Sequence, residues 1–233
     1  LLLLEKPMPS SQNIPASART TLKRGKERAV YDPSDIRSIL AAGVVAHVGV
    51  TTDDGPIVLP MAYGVRDNEI LIHGSIANAM MRGGRSVDVC VTVTIIDALV
   101  IARTPFHNSM NYRSVVIRGL ATAIVGSDEK TAALKVINDH IAPIWDTARP
   151  PNEQDLNLTM VLSVPLDEAS AKVRGGDPVD DPEDMQTDYW AGRLPLQSTW
   201  GEPIPAADLK DGVLIPSVVA AMAKTEAYQY SSK

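Results

Sequence analysis

Between residues 44 and 125 apolar and polar positions alternate in short runs, and the turn residues between those runs predict an antiparallel, mainly β protein. Residues 44–50 and 56–63 read as strands joined around Asp53-Asp54-Gly55, a hairpin sequence. Arg66-Asp67-Asn68 makes the next turn, and residues 69–73 the third strand. Over residues 86–94, Val87, Val89, Val91 and Val93 take one face, while Asp88, Cys90, Thr92 and Thr94 take the other. Residues 98–102 and 112–125 continue the pattern, with Gly119 as a candidate bulge or close-approach point. Six strands in about 80 residues, joined by short links, argue for an antiparallel barrel, because βαβ crossovers need longer connections.

Helices flank this sheet. Asp32 as N-cap, Pro33 at the first position, Asp35 in the capping-box position and Gly43 past the end predict a helix over 33–42. A second helix follows Ser127 as its cap; Leu134, Ile137 and Ile141 recur at helical spacing and give it one buried stripe. Between strands, Ile72-His73-Gly74-Ser75 turns into a third helix over 76–82, closed by Gly83-Gly84. After the link Arg149-Pro150-Pro151, residues 156–166 form a further strand. The expected organisation is an N-terminal arm (1–30), a barrel domain (31–175) and an extended tail (176–233) packed on the barrel or on a partner subunit.

The 233 residues, 45% of them apolar, suffice for one substantial core without disulfide staples. The net charge of −6 argues against a nucleic-acid or anionic-membrane surface. Leu1 to Leu4 is far too short for a membrane span, and the single cysteine, Cys90, fits a reducing, cytoplasmic setting.

His73 is the sharpest candidate for chemistry. It either completes a strand end or sits beside an anion held by Ser75 and free N–H groups at a helix start. Arg82, at the far end of that helix, reaches the same anion only through a fold-back. The segment from Phe106 to Ser114 gathers an imidazole (His107), amides (Asn108, Asn111), a phenol (Tyr112) and a guanidinium (Arg113). Arg113 suits a phosphate or a structural carboxylate such as Asp88 or Asp97. His47 reads as a core or interface residue and His140 as solvated. No HExxH spacing, thiolate cluster, GxSxG, P-loop or GxGxxG is present, so no metal ligands are assigned.

With Arg28-Ala29-Val30-Tyr31-Asp32, Val58-Leu59-Pro60-Met61-Ala62-Tyr63, Leu71-Ile72-His73-Gly74-Ser75, the run from Asn111 to Gly119, and Trp190-Ala191-Gly192-Arg193-Leu194-Pro195-Leu196, the chain resembles the pyridoxamine 5′-phosphate oxidase-like superfamily. Its nearest branch holds the nitroimidazole-resistance (Nim-type) flavin-nucleotide-binding proteins. The resemblance implies a six-stranded split β-barrel of the FMN-binding type, working as a homodimer with its sites at the subunit interface. It implies FMN as cofactor, a flavin ring along Leu59, Pro60 and Met61 near Tyr63 and Thr92, and a phosphate near Gly74, Ser75 and Asn78. Asn111, Tyr112 and Arg113 would close the pocket, and His73 would lie at the reaction centre. The family's Ser-Arg-Lys phosphate grip is replaced here by Ala77-Asn78-Ala79, which shifts phosphate binding to Arg82, an N-terminal basic residue, Arg113 or backbone N–H groups. The implied activity is reduction of a small acceptor such as a nitroaromatic or quinone-like compound. The alternatives are a pyridoxine-phosphate-type oxidase, a deazaflavin-dependent reductase, or a haem-binding protein with His73, His107 or His47 as ligand.

Overall fold

The computed structural model describes residues 13–75 and 86–227. After a short strand β1 (Ala29–Val30), helix α1 (Pro33–Ala42) begins as its caps predict, with the Asp32 carboxylate accepting from the Ser34 and Asp35 amides. Then come β2 (Ala46–Thr52), β3 (Gly55–Met61), β4 (Tyr63–Arg66), β5 (Glu69–Ser75), β6 (Ser86–Ile101) and β7 (Ser109–Ala123). Helices α2 (Ser127–Asp139) and α3 (Glu153–Leu158) precede β8 (Thr159–Pro165) and β9 (Ala169–Arg174). The tail adds β10 (Gly192–Pro195) and α4 (Ser217–Met222).

The antiparallel sheet runs β3-β2-β6-β7-β8-β5-β4, and each long central strand divides its free edge between two neighbours. Strand β6 pairs with β2 through Cys90–Val93 and with β10 through Ala98–Ile101. Strand β7 pairs with β9 along Tyr112–Ile117 and with β8 only at Thr122 and Ala123. The barrel is therefore split and open, with β3 and β4 at the ends of the path.

Several boundaries differ from expectation, each for a local reason. The predicted strands 86–94 and 98–102 are one strand, because β7 pairs with both halves and a bulge between Ile96 and Ala98 absorbs Asp97. Gly119 shows no register shift; it is a close-approach point, where a Cβ would lie 3.3 Å from Val164 Cγ1. The predicted strand 56–63 divides at Ala62 into β3 and β4. Ser127 is not the α2 cap: Gly126, at φ +90°, takes that place. The predicted strand start at 156 is helical, because Asn152 and Asp155 form a capping box that nucleates α3. Gly74 and Ser75 do not turn; they extend β5 by pairing with Met160 and Thr159. The predicted helix over 76–82 lies outside the described residues.

Alternation decides what β5 buries. Ile70 and Ile72 point into the barrel core with Leu40, Val48, Tyr63, Val91, Val115 and Ile117. Leu71 points the other way and forms a second cluster with Ala133 and Ile137 of α2 and Val161 of β8. Period two puts His73 on Leu71's side. Helix α2 can lie this close because β4 offers Gly64 beneath it, where a Cβ would meet Val136 O at 2.7 Å.

Candidate functional site

The clearest site follows from that placement of His73. Its half-buried imidazole opens onto a cleft of about 660 Å³ between β5 and α2, walled by Ala62, Leu134, Ile137, Ile141, Ile144 and Trp145. Asn138 of α2 and the Arg149–Asp155 ion pair (2.7 Å) supply polar groups to the lining. Burial pushes the His73 pKa down, so the ring stays neutral at pH 7, with a nitrogen lone pair available to a metal centre or a proton. The volume lies within the ~300–1,000 Å³ usual for small-molecule and cofactor pockets. Trp145 and Ile144 belong to a loop held by Asp139, whose carboxylate accepts from the Trp145 amide at 2.9 Å. His73, singled out from the sequence, lines this cleft; its walls were not anticipated, although the predicted helical stripe of Leu134, Ile137 and Ile141 supplies half of them.

The other predicted residues fall in two further places. On the solvent side of the sheet, Pro60, His47, Thr92 and Val116 form one row across β3, β2, β6 and β7. The same face continues through Thr94 and Ser114 to Lys172, and through Tyr112 to Arg174. Arg28 lies close enough to Arg174 to help lower its pKa, after burial, so the N-terminal basic run supplies a cation to this face. Val58 (62% exposed) and Leu120 (54%) add apolar surface to it. His47 is exposed here, not in the core.

Asn111 and Arg113 occupy the opposite face of β7, as alternation with Tyr112 requires. The Arg113 guanidinium grips the Asp97 carboxylate (Nη2 to Oδ1 2.7 Å, Nε to Oδ2 3.1 Å), so the structural-carboxylate option holds for it. That partner exists because the bulge turns Asp97 out of the ladder. Asn111 is buried; its Nδ2 donates to Gly176 O (3.0 Å), and its Oδ1 accepts from Arg174 Nη1 (3.2 Å). Leu59 packs against the core and Met61 and Tyr63 lie within it. The Tyr63 hydroxyl sits 2.6 Å from Leu40 O and 2.9 Å from Gly43 O, deep under α1. Gly74 and Ser75 lie on β5 beside His73, whereas Asn78 and Arg82 are outside the described residues.

His140 is not solvated as expected. It packs its ring 4.3 Å from that of Tyr63 and donates from Nε2 to Gly43 O at 2.8 Å. Burial lowers its pKa, outweighing the Gly43 hydrogen bond that raises it. His73 and His140 thus take up protons at lower pH when folded than in the unfolded chain, which protonates both near pH ~6.5. Below that pH the unfolded state binds more protons, so stability falls with acidification. The expected result is a denaturation midpoint of the cofactor-free protein lower at about pH 5.5 than at about pH 7.5, in the window above most carboxylate titration. Equal midpoints would contradict burial of both rings.

The split, open antiparallel barrel with helices packed on its outside defines the protein as a split-barrel fold of the kind that builds cofactor clefts. The chain belongs to the pyridoxamine 5′-phosphate oxidase family, whose model matches residues 32–173. The flavocytochrome Anf3 from Azotobacter vinelandii is 32% identical, with 91% of this chain and 99% of that one aligned at a TM-score of 0.85. The FAD and heme binding protein from Mycobacterium smegmatis is 28% identical over 87% of this chain and 100% of its own, at a TM-score of 0.81. A putative 5-nitroimidazole antibiotic resistance protein from Bacteroides thetaiotaomicron is 25% identical over 62% of this chain and 86% of its own, at a TM-score of 0.52. No curated protein matches the chain at a significant level. Among the described residues no helix is long and apolar enough to cross a membrane.

Proposed function

We propose that the protein is a redox protein that binds both a flavin and a haem, with His73 as the iron ligand. The observation that carries this reading is the neutral, half-buried imidazole facing a largely apolar cleft of about 660 Å³. That chemistry fits a flat apolar macrocycle, and the polar lining near Arg149 suits its carboxylate groups. The two structures aligned over most of this chain, a flavocytochrome and an FAD and heme binding protein, support it.

The flavin is assigned to the solvent-side sheet face of Pro60, Thr92 and Tyr112. FAD is favoured over FMN, because Ala77-Asn78-Ala79 lacks the cation pair of a terminal-phosphate grip, whereas Lys172, Arg174 and Arg28 lie along the same face. A bound flavin and haem supply the electron chemistry; the protein supplies position and electrostatics. His73 holds its lone pair toward the cleft, α2 and Trp145 exclude water, and the cations of β9 offset the charge of a phosphate.

The sheet face is open on one side and carries exposed apolar residues, which supports a homodimer that buries it. Val58→Asp together with Leu120→Asp is expected to convert a dimer into a monomer in light scattering; a wild-type monomer at micromolar concentration would sink this assignment. A second reading, reduction of a nitroaromatic or quinone-like acceptor by the flavin, draws support from the nitroimidazole-resistance neighbour. The deciding experiment for the main reading is the absorption spectrum of purified protein, with chromatography of the released cofactors. A Soret band with stoichiometric FAD is expected, and a colourless protein after both cofactors are offered would reject it.

A further inference from the structure

We propose that His107, Asp181 and Asp184 form a divalent-metal site that clips the acidic C-terminal segment to the tip of the β6–β7 hairpin. The site uses no residue of the His73 cleft or of the flavin face.

Two chain segments bring the ligands together. At the hairpin tip, Pro105–His107 forms a single 3₁₀ turn, closed by Asn108, whose side chain accepts from the Ala102 amide at 2.8 Å. The Phe106 ring meets the His107 ring edge-on, with centroids 5.2 Å apart. In the tail, Asp181 O accepts from the Asp184 amide at 3.0 Å, so the two carboxylates stand one tight turn apart and project to the same side. His107 Nε2 lies 3.2 Å from Asp181 Oδ2, and the three ligand atoms are all within 4.8 Å of one another.

The segment is anchored independently of any ion. The neighbouring Asp180 side chain is 0% exposed and accepts from the Arg103 amide at 2.8 Å and from Arg103 Nη1 at 2.9 Å. Asp177 pairs with Arg193 at 2.8 Å. Residues 177–188 carry six carboxylates, and these arginines answer two of them. Asp181 and Asp184 are left facing the His107 imidazole at the hairpin tip. A cation between the three would offset both carboxylates and take a ring nitrogen as its third ligand.

Ligand chemistry selects the ion. One imidazole nitrogen and two carboxylate oxygens, with positions left for water, suit Zn²⁺ and similar borderline cations better than Ca²⁺, which takes six to eight oxygens. Around a tetrahedral ion with bonds of about 2.0 Å, ligand atoms stand about 3.3 Å apart, a distance these side chains reach by rotation about their own bonds.

The test is calorimetric titration of chelator-treated full-length protein with Zn²⁺, repeated for His107→Ala and Asp184→Asn. Other histidines can take zinc, so the difference between wild type and variants is the readout. Wild type is expected to bind one more equivalent than His107→Ala, and Asp184→Asn to bind that equivalent about tenfold more weakly or worse. Co²⁺ should give visible ligand-field bands in wild type that vanish in His107→Ala. Ca²⁺ should bind wild type and His107→Ala alike. Equal zinc stoichiometry and affinity in all three proteins, or cobalt bands that survive in His107→Ala, would overturn the site. Asp184→Asn preserves side-chain shape, so its result stands even if the histidine variant misfolds.

Discussion

Purified His73→Ala protein is expected to lose the Soret band while keeping its flavin absorption and its β-rich circular dichroism. The separation of effects follows from the geometry. His73 is on the α2 side of β5, across the strand from Ile70 and Ile72 of the core, so truncation empties one wall of the cleft and leaves the barrel packing intact. The sheet face proposed for the flavin is built from β3, β2, β6, β7 and β9, none of which depends on that side chain. If His73 holds the iron, its loss should weaken haem binding by about tenfold or more, equivalent to at least ~1.4 kcal/mol. Exogenous imidazole, small enough for the space left by the truncation, should restore part of the band. A His73→Ala protein with a wild-type Soret spectrum would remove His73 as the ligand. The other described histidines, His47, His107 and His140, offer no equivalent cleft: His47 is exposed, His107 contacts Asp181, and His140 is committed to Gly43 O.

The second large effect is expected at Gly64. A Cβ there would stand 2.7 Å from Val136 O, 2.8 Å from Val136 C and 2.9 Å from Ile137 Cα. These are backbone atoms of α2, so no side chain can rotate out of the way and the helix itself must move. Gly64→Ala should cost about 1–3 kcal/mol or somewhat more, read as a lower denaturation midpoint at unchanged slope. The same displacement should reach the cleft, because Leu134, Ile137 and Asn138 of α2 line it. Reduced haem retention should therefore accompany the stability loss, although residue 64 touches no cofactor. A stability change below about 0.5 kcal/mol would mean that α2 is not held where the structure puts it.

Local signals were legible wherever a few neighbouring residues decide the outcome. Asp32 and Pro33 started α1, Asp53-Asp54-Gly55 turned β2 into β3, and the valine alternation in β6 separated core from solvent faces. The Asn152–Asp155 capping box was equally local and marks a start of α3 that the strand reading passed over. The failures involve decisions made elsewhere in the fold. Asp97 became a bulge inside one strand because β7 offers partners on both sides of it. Gly74 and Ser75 stayed extended because β8 supplies Met160 and Thr159 as ladder partners, overriding the turn preference of glycine. Likewise His140, capping the C-terminus of α2, is held against Tyr63 and Gly43, which are remote in sequence.

The site shows the same division. His73 could be chosen from its own segment, and the family resemblance named many of the strands involved. Which residues share a pocket could not be read that way. Alternation places Tyr112 and Arg113 on opposite faces of one strand, so a run that looked like a single recognition loop serves two surfaces. The bulge at Asp97 then engages Arg113, the guanidinium that sequence offered to a phosphate or a carboxylate.

By itself the sequence determined an antiparallel barrel, its first helix and its family, because periodicity, caps and short motifs act over a few residues. Only the tertiary structure decided the split between β8 and β9, the apolar cleft beside His73 and the partners of Arg113. Those depend on strand pairing and on the contact of α2 with Gly64, where residues tens of positions apart meet at van der Waals distance.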